Sequence, residues 1–437
     1  MKEKPAAINI IWFALIVIAV LVGMAKGNLE TVQKVSFDAA KSAVTLAINL
    51  IGVMALWLGI MKVAEVGGLM KIIARAIRPL MVRLFPNVPA EHPAMAAMIM
   101  NIAANMLGLG NAATPLGIKA MIELEKLNKV PGRATNAMCL FLAINTSSVT
   151  ILPLGVIGVR AAAGSTEPAA IMVPTMLATF VSTTVAIVMS KFFEKANQDD
   201  IVSVDLDSCG DTLMESEEAT EKSSAEVLVK PALTAKVFAY GSIIALLAVI
   251  VYRFATTAEI ELMQKEILRF WIVPLLMLAI LLFGYIKGVK VYEVACEGAK
   301  EGFQVAIRII PFLVMILVAI GMFKASGAFE ILAYIIAPIT NAAGVPAEVL
   351  PMAMMRPLSG SGAFGVMAEL VQQNPDSLAA YMASIMQGST ETTFYVLAVY
   401  FGAVGITKTR YAIAAALMAD AAGIVASIVM AKMTFGA

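Results

Sequence analysis

Charge is what this chain has least of. Only 14% of its 437 residues are Asp, Glu, Lys or Arg, and 60% are hydrophobic. Soluble domains carry about 25% charged residues, so a soluble fold is excluded. Histidine is almost missing: the single copy, His92, stands in a Glu-His-Pro stretch that reads as a surface loop edge. HExxH metal centres and Ser–His–Asp triads are therefore out, and no ATP-hydrolysing motif occurs. The three cysteines, Cys139, Cys209 and Cys296, lie far apart without a CxxC pair, which suits neither a zinc site nor a disulfide framework. A net charge of +1 leaves no basic surface for nucleic acid. No cofactor is implied.

What the chain has instead is long apolar runs, at residues 8–24, 42–61, 168–190, 237–252, 270–286, 305–323 and 411–431. A bilayer core takes about 20 such residues per helix. The first run follows MKEK without a clear small-residue cleavage site and reads as a retained helix, a removed signal peptide being the alternative.

One polar stretch divides the sequence. Between Asp199 and Glu226 stand ten acidic residues and one Lys, with five serines. This composition cannot bury a core and reads as a mobile cytoplasmic linker, residues 196–231, between halves at 1–195 and 232–437. The halves resemble each other. AKSAVTLAI (Ala40 to Ile48) matches AKEGFQVAI (Ala299 to Ile307), and NVPAE (Asn87 to Glu91) matches GVPAE (Gly344 to Glu348).

Orientation follows from the Lys and Arg distribution. Residues 62–92 hold Lys62, Lys71, Arg75, Arg78 and Arg83, while the matching 324–348 holds only Lys324. The first stretch is expected in the cytoplasm and the second on the far side. The second half also has two spanning runs before its repeat where the first has one, and that parity turns it over. Inverted repeats are the expectation, with the N-terminus in the cytoplasm of a bacterial cell. Lys71, Arg75 and Arg78 share one face of 66–85, as in an amphipathic helix lying in the interface.

Two kinds of segment break the apolar pattern, once in each half. The first kind is Gly-rich. NMLGLGNAATPLG (Asn105 to Gly117) has basic residues on both flanks, so the chain enters and leaves on one side: a re-entrant hairpin, with a Gly-kinked spanning helix as the alternative. Asn111 and Thr114 sit at its tip, where glycines allow close approach of a ligand and helix ends offer free amides. RPLSGSGAFG (Arg356 to Gly365) is the counterpart, with Ser359 and Ser361 as candidate ligands and Arg356 placed to meet an anion or an acid. Its GxGxxG spacing has no βαβ context and does not imply a dinucleotide. The second kind is hydroxyl-rich. INTSSVTILP supplies Asn145, Thr146 and Ser148 ahead of Pro153, and QGSTETTFYVL supplies Ser389, Thr390, Glu391 and Thr393. Helical Ser and Thr often bond back to their own backbone. Four or five together, with Asn or Glu, read as a broken helix lining a site at the bilayer midplane.

Glu391 is the sharpest single candidate. A carboxylate at mid-membrane costs about 2.5–3.5 kcal/mol, so it is expected to be protonated, paired or holding a cation. Asp420 lies in the last apolar run. Two readings stand for it: proton coupling, or an ion pair with Arg308 in the matching first helix.

The motif NMLGLGNAATPLGIKAMIEL resembles the spore maturation protein A family. PLSGSGAFGVMAEL and GSTETTFYVLAVYFGAVGITKTRYA resemble the spore maturation protein B family. Both belong to the nucleoside-recognition (Gate) group, which also includes concentrative nucleoside transporters and the membrane part of ferrous iron transporters. The resemblance spans nearly the whole chain and makes it a fusion of two proteins that are usually separate, one Gate-type repeat in each half. It implies an all-α polytopic membrane fold in which two re-entrant hairpins and two broken helices form a mobile, elevator-like transport domain against an oligomeric scaffold. Fused forms are typical of non-sporulating bacteria, so a role in sporulation is not implied. Iron is disfavoured because neither tip has a nearby Cys or His.

The leading expectation is a secondary-active transporter of the inner membrane. By alternating access it would carry a small polar solute (nucleoside-like, amino acid or small organic acid), with H+ or Na+ coupling through Glu391 or Asp420. A homodimer is the simplest assembly. The alternatives are an intramembrane enzyme using the same two acids, and a non-transporting membrane partner in cell-envelope biogenesis.

Overall fold

A computed structural model of the chain describes residues 7–196, 233–256 and 271–435. The acidic stretch 199–226 lies outside the described residues.

The described chain is helical throughout, with a single isolated bridge between Arg133 and Lys408. Helix α1 (Ala7–Lys26) ends at Gly27, whose φ of 67° only glycine adopts freely, and α2 (Leu29–Val66) follows. Gly68 (φ 84°) turns the chain into α3 (Leu69–Leu84). This helix is amphipathic as expected. Ile73, Ala74, Ile77 and Met81 join an apolar cluster, while Lys71, Arg75, Arg78 and Arg83 are exposed. After α4 (Pro93–Met106) and α5 (Gly110–Lys126) come α6 (Asn136–Thr146), α7 (Leu154–Ala162) and α8 (Met172–Ala196). Helices α9 (Leu233–Thr256) and α10 (Ile272–Ile286) then precede a second series. That series is α11 (Val291–Ala325), α12 (Ala328–Ala343), α13 (Leu350–Met355), α14 (Gly360–Gln373), α15 (Leu378–Ser389), α16 (Thr393–Ala403) and α17 (Ala412–Phe435). The order from α2 to α8 thus recurs from α11 to α17.

The first and the last pair of corresponding helices, α2 with α11 and α8 with α17, pack on each other and run antiparallel. Along α2 and α11 the backbones touch at glycines. A Cβ on Gly302 would lie 2.7 Å from the Met54 carbonyl oxygen, and one on Gly59 only 2.6 Å from that of Ala295. Further along, Gly321 faces Val35 and Ala39. Residue numbers therefore rise along one helix as they fall along the other. Helices α8 and α17 do the same, with Ser182 at Ala419 and Phe193 at Tyr411. Small residues at such crossings let helices approach where lipid gives no hydrophobic drive.

Three described helical stretches are long and apolar enough to cross a membrane: Leu29–Val66, Pro168–Ala196 and Ala412–Phe435. The chain is a membrane protein, and large side chains such as Phe37, Phe180 and Val425 stand exposed along these stretches as lipid contacts require. His92 departs from the expected surface position. It is 9% exposed and caps α4, its Nδ1 accepting from the Ala94 amide at 3.1 Å. Pro93 at the first helical position made it the cap residue.

Candidate functional site

Both expected helix breaks are present. Helix α6 stops at Thr146 and α7 starts at Leu154, so Ser147 to Pro153 is unwound. Helix α15 stops at Ser389 and α16 starts at Thr393, leaving Thr390 to Thr392. Both hairpins are present too. Helices α4 and α5 pack together around a turn at Leu107–Leu109, in which Gly108 has φ 72°. Helices α13 and α14 fold back through Pro357–Ser359.

The four segments meet by backbone hydrogen bonds. In the first half the Ile151 amide donates to the Met106 carbonyl at 3.0 Å, joining break to hairpin tip. The Phe394 amide donates to the Pro357 carbonyl at 3.1 Å in the second half, the same join. The Glu391 amide then donates to the Thr146 carbonyl at 2.7 Å and ties the two breaks together. Helix ends left open by unwinding carry unsatisfied donors and acceptors, and here they satisfy one another.

The side chains of the first break are deeply buried. Asn145 Oδ1 accepts from Asn105 at 2.9 Å and from the Tyr400 hydroxyl at 3.2 Å. That hydroxyl accepts in turn from Asn101 at 3.1 Å. Thr146 donates back to the Ala143 carbonyl. Ser148 is held at φ 44° and shares a hydrogen bond with Thr150 at 2.7 Å, and Thr179 donates to the carbonyls of Ser147 and Ser148. Thr114 is half-buried in the first turns of α5. The side chain of Asn111 lies outside the described residues.

In the second half Ser359 caps α14, accepting from the Gly362 amide at 3.1 Å, and Ser361 follows half-buried in its first turn. Ser389 shares a hydrogen bond with Ser427 at 3.0 Å, and Thr390 bonds back to Met386. Thr393 donates to Asp420 Oδ2 at 2.6 Å. Arg356 is 2% exposed and donates to the carbonyls of Gln387 and Thr390, so it clamps the second break. Its Nη2 lies 3.9 Å from Glu391 Oε2.

The expected site residues thus converge, but not as a set of free ligands. Thr146, Ser148, Ser359, Ser389, Thr390 and Thr393 have their hydroxyls engaged inside the protein. Glu391 is not within a helix but in the unwound turn, with its side chain 47% exposed. Asp420 takes Thr393 as its partner, and the side chain of Arg308 lies outside the described residues. Sequence reasoning missed Asn101, Asn105, Tyr400 and Thr179. The two asparagines had a signal, being the only polar residues in the α4 sequence PAMAAMIMNIAANM and one turn apart.

The nucleoside-recognition (Gate) family matches residues 47–163 and 306–407, which contain both hairpins and both breaks. The chain belongs to this family. Spore maturation protein A of Bacillus subtilis is 46% identical over 186 residues, 43% of this chain and 95% of that protein. Spore maturation protein B of the same organism is 48% identical over 165 residues, 38% of this chain and 93% of that protein. The two matches are consistent with a Gate protein that fuses an A-like and a B-like unit. No solved structure matches the chain.

Proposed function

We propose that this Gate protein is a secondary-active transporter of the bacterial cytoplasmic membrane. Residues 1–195 and 232–437 would form its two inverted repeats, joined by the acidic stretch 196–231 on the cytoplasmic side with the N-terminus. The observation that carries the reading is the bond from the Glu391 amide to the Thr146 carbonyl. It brings two unwound helices and two hairpin tips to one place, at a cost in regular hydrogen bonding that a passive scaffold has no use for. The antiparallel packing of α2 on α11 and of α8 on α17 supports inversion, the symmetry through which alternating access exposes one site to either side in turn.

The cargo is a small polar solute, and the family description makes a nucleoside-like compound a natural first choice, beside amino acids and small organic acids. Asn105, half-buried and held by the buried Asn145, offers an amide of the kind that reads such a solute. Glu391, open on one side, can touch the solute or a coupling ion. The test is uptake by purified protein in proteoliposomes under H+ and Na+ gradients, with Glu391→Gln beside the wild type. Gradient-driven uptake that the variant loses is the expected result. Absence of any gradient-driven flux across nucleosides, amino acids and carboxylates overturns the reading.

A further inference from the structure

Helix α3 has three faces rather than two. Ile73, Ala74, Ile77 and Met81 turn inward, onto the apolar cluster shared with α4. At about 100° per residue, Lys71, Arg75 and Arg78 fall together on a second face, and all three are exposed. Ile72, Ala76, Pro79 and Leu80 make up the third. They are exposed too, Ile72 by 43% and Leu80 by 57%. Arg83 ends this apolar row in the last turn. Water alone would leave the apolar face unmatched, and lipid tails alone would leave the basic one unmatched.

The attachment of α3 sets its depth. Only Gly67 and Gly68 separate it from α2, which is long and apolar enough to cross a membrane. At that end of α2, Lys62 Nζ meets Glu65 at 3.4 Å and Glu301 at 3.2 Å, a partly exposed ion cluster that belongs at the water's edge. Helix α3 begins about two turns past Lys62, at headgroup depth. Charge then names what covers it. Residues 67–92 carry Lys71, Arg75, Arg78 and Arg83 against one acid, Glu91, and Arg78 takes that acid at 2.6 Å. Arg75 and Arg83 have no ion pair or hydrogen bond among the described residues. The counterpart in the second half, α12, follows α11 by a similar short turn but holds one Glu and no Lys or Arg. The basic face is therefore a property of α3 and not of the repeat.

We propose that α3 binds anionic phospholipids, with Arg75 and Arg83 on their phosphates and Ile72 and Leu80 in the acyl boundary below. A guanidinium fork suits phosphate oxygens, and an anionic leaflet attracts basic residues held at its surface. The inner face of α3 packs on α4, one arm of the first hairpin, so a lipid held by α3 braces that hairpin. The inference names a membrane partner and stands whether or not a solute moves through the site.

Full-length protein is melted in nanodiscs of phosphatidylcholine alone and with rising fractions of phosphatidylglycerol. A ligand of the folded state stabilises it by mass action, so the expected result is a saturable rise of several degrees. The rise is expected to shrink in about 0.5 M NaCl, which screens exposed charges. Arg75→Gln with Arg83→Gln is expected to lose at least half of it. In phosphatidylcholine alone the same variant is expected to melt with the wild type, both side chains being exposed. Should the double variant fail to fold, Arg75→Gln alone reads the loss. Lys290→Gln with Lys300→Gln removes the same charge from exposed positions off α3 and is expected to keep the rise. No rise in the wild type, or an undiminished rise without the two arginines, overturns the proposal. So does an equal loss in both double variants, which would mean attraction to net charge alone. If the acidic stretch 199–226 covers α3 instead, protein lacking that stretch responds to phosphatidylglycerol and the intact chain does not, and the proposal fails.

Discussion

The main-chain amide of Glu391 donates to the main-chain carbonyl of Thr146 across 2.7 Å. Because the bond is made by backbone, the join between the two halves does not depend on which side chain stands at position 391. Charge and architecture can therefore be separated there. Glu391→Gln keeps the amide and is expected to melt within about 0.5 kcal/mol of wild type, as substitutions on open positions do. Glu391→Pro removes the amide, leaves the Thr146 carbonyl without its partner, and is expected to cost about 1–3 kcal/mol. Thermal melts in nanodiscs separate the two, and equal losses would show that the join is not what holds the breaks together.

The second relationship links side chains. Tyr400 donates to Asn145 and accepts from Asn101, joining α16 to α6 and α4. Its ring fills the space beside Gly117, where a Cβ would strike the hydroxyl. Tyr400→Phe keeps the ring and removes the hydroxyl. Asn145 retains Asn105 and Asn101 retains the Ala113 carbonyl, so the loss is partial, about 1–2 kcal/mol. If Asn105, held by Asn145, reads the solute, the same variant weakens solute affinity as well, which a binding titration would show.

How much of this was legible beforehand depended on range. Apolar runs, the repeat, the hairpins and the breaks could all be read, because each is a local departure from an apolar background: glycines at 108 and 110, Pro153, and the hydroxyl clusters. What could not be read was which hydroxyls are already spent. Thr146 turns back on its own helix, a local choice that sequence leaves open. Thr393 meets Asp420, and Tyr400 meets Asn145, only because distant helices arrive at the same place. His92 misled for a related reason: Glu-His-Pro looks like a loop edge, but Pro93 opens a helix and the imidazole closes its end.

The α2–α11 crossing leaves no room for side chains. Cβ atoms on Gly298 and Gly302 would sit 2.6 and 2.7 Å from the carbonyl oxygens of Leu58 and Met54, which are backbone and cannot rotate away. Gly302→Ala is expected to cost about 1–3 kcal/mol by overpacking, and Gly302→Leu to prevent the helices from meeting. Gly402 has open space about its Cβ, so Gly402→Ala serves as the control with no overpacking cost. Melting temperatures of the three variants rank the effect, and a Gly302→Leu protein as stable as the control would contradict the close crossing.

The last prediction concerns acid. Asp376, in the loop before α15, ties the second half to the loop that follows α7 in the first. It accepts from Ser165 at 2.7 Å and from the Thr166 amide at 3.0 Å, and lies 3.5 Å from the buried Arg160 guanidinium. Burial alone would push its carboxyl up, but the hydrogen bonds from Ser165 and Thr166 and the charge of Arg160 outweigh that and hold it below the usual carboxylate range. A carboxyl depressed in the folded state adds stability that is complete above its unfolded value, about 3.9, and is lost as the pH falls through the lower folded value. Arg160 stays charged throughout and also donates to the Pro375 carbonyl at 2.9 Å, so the loop remains anchored while the acid contribution goes. Asp376→Asn is therefore expected to melt below wild type at pH 7 and to converge with it under pH 4, giving a shallower acid limb. The contribution is modest because the side chain is 37% exposed and solvent screens it. Parallel melting curves from pH 7 to pH 3 would show that Asp376 carries no such linkage, and that the loop is held through Arg160 and Pro375 alone.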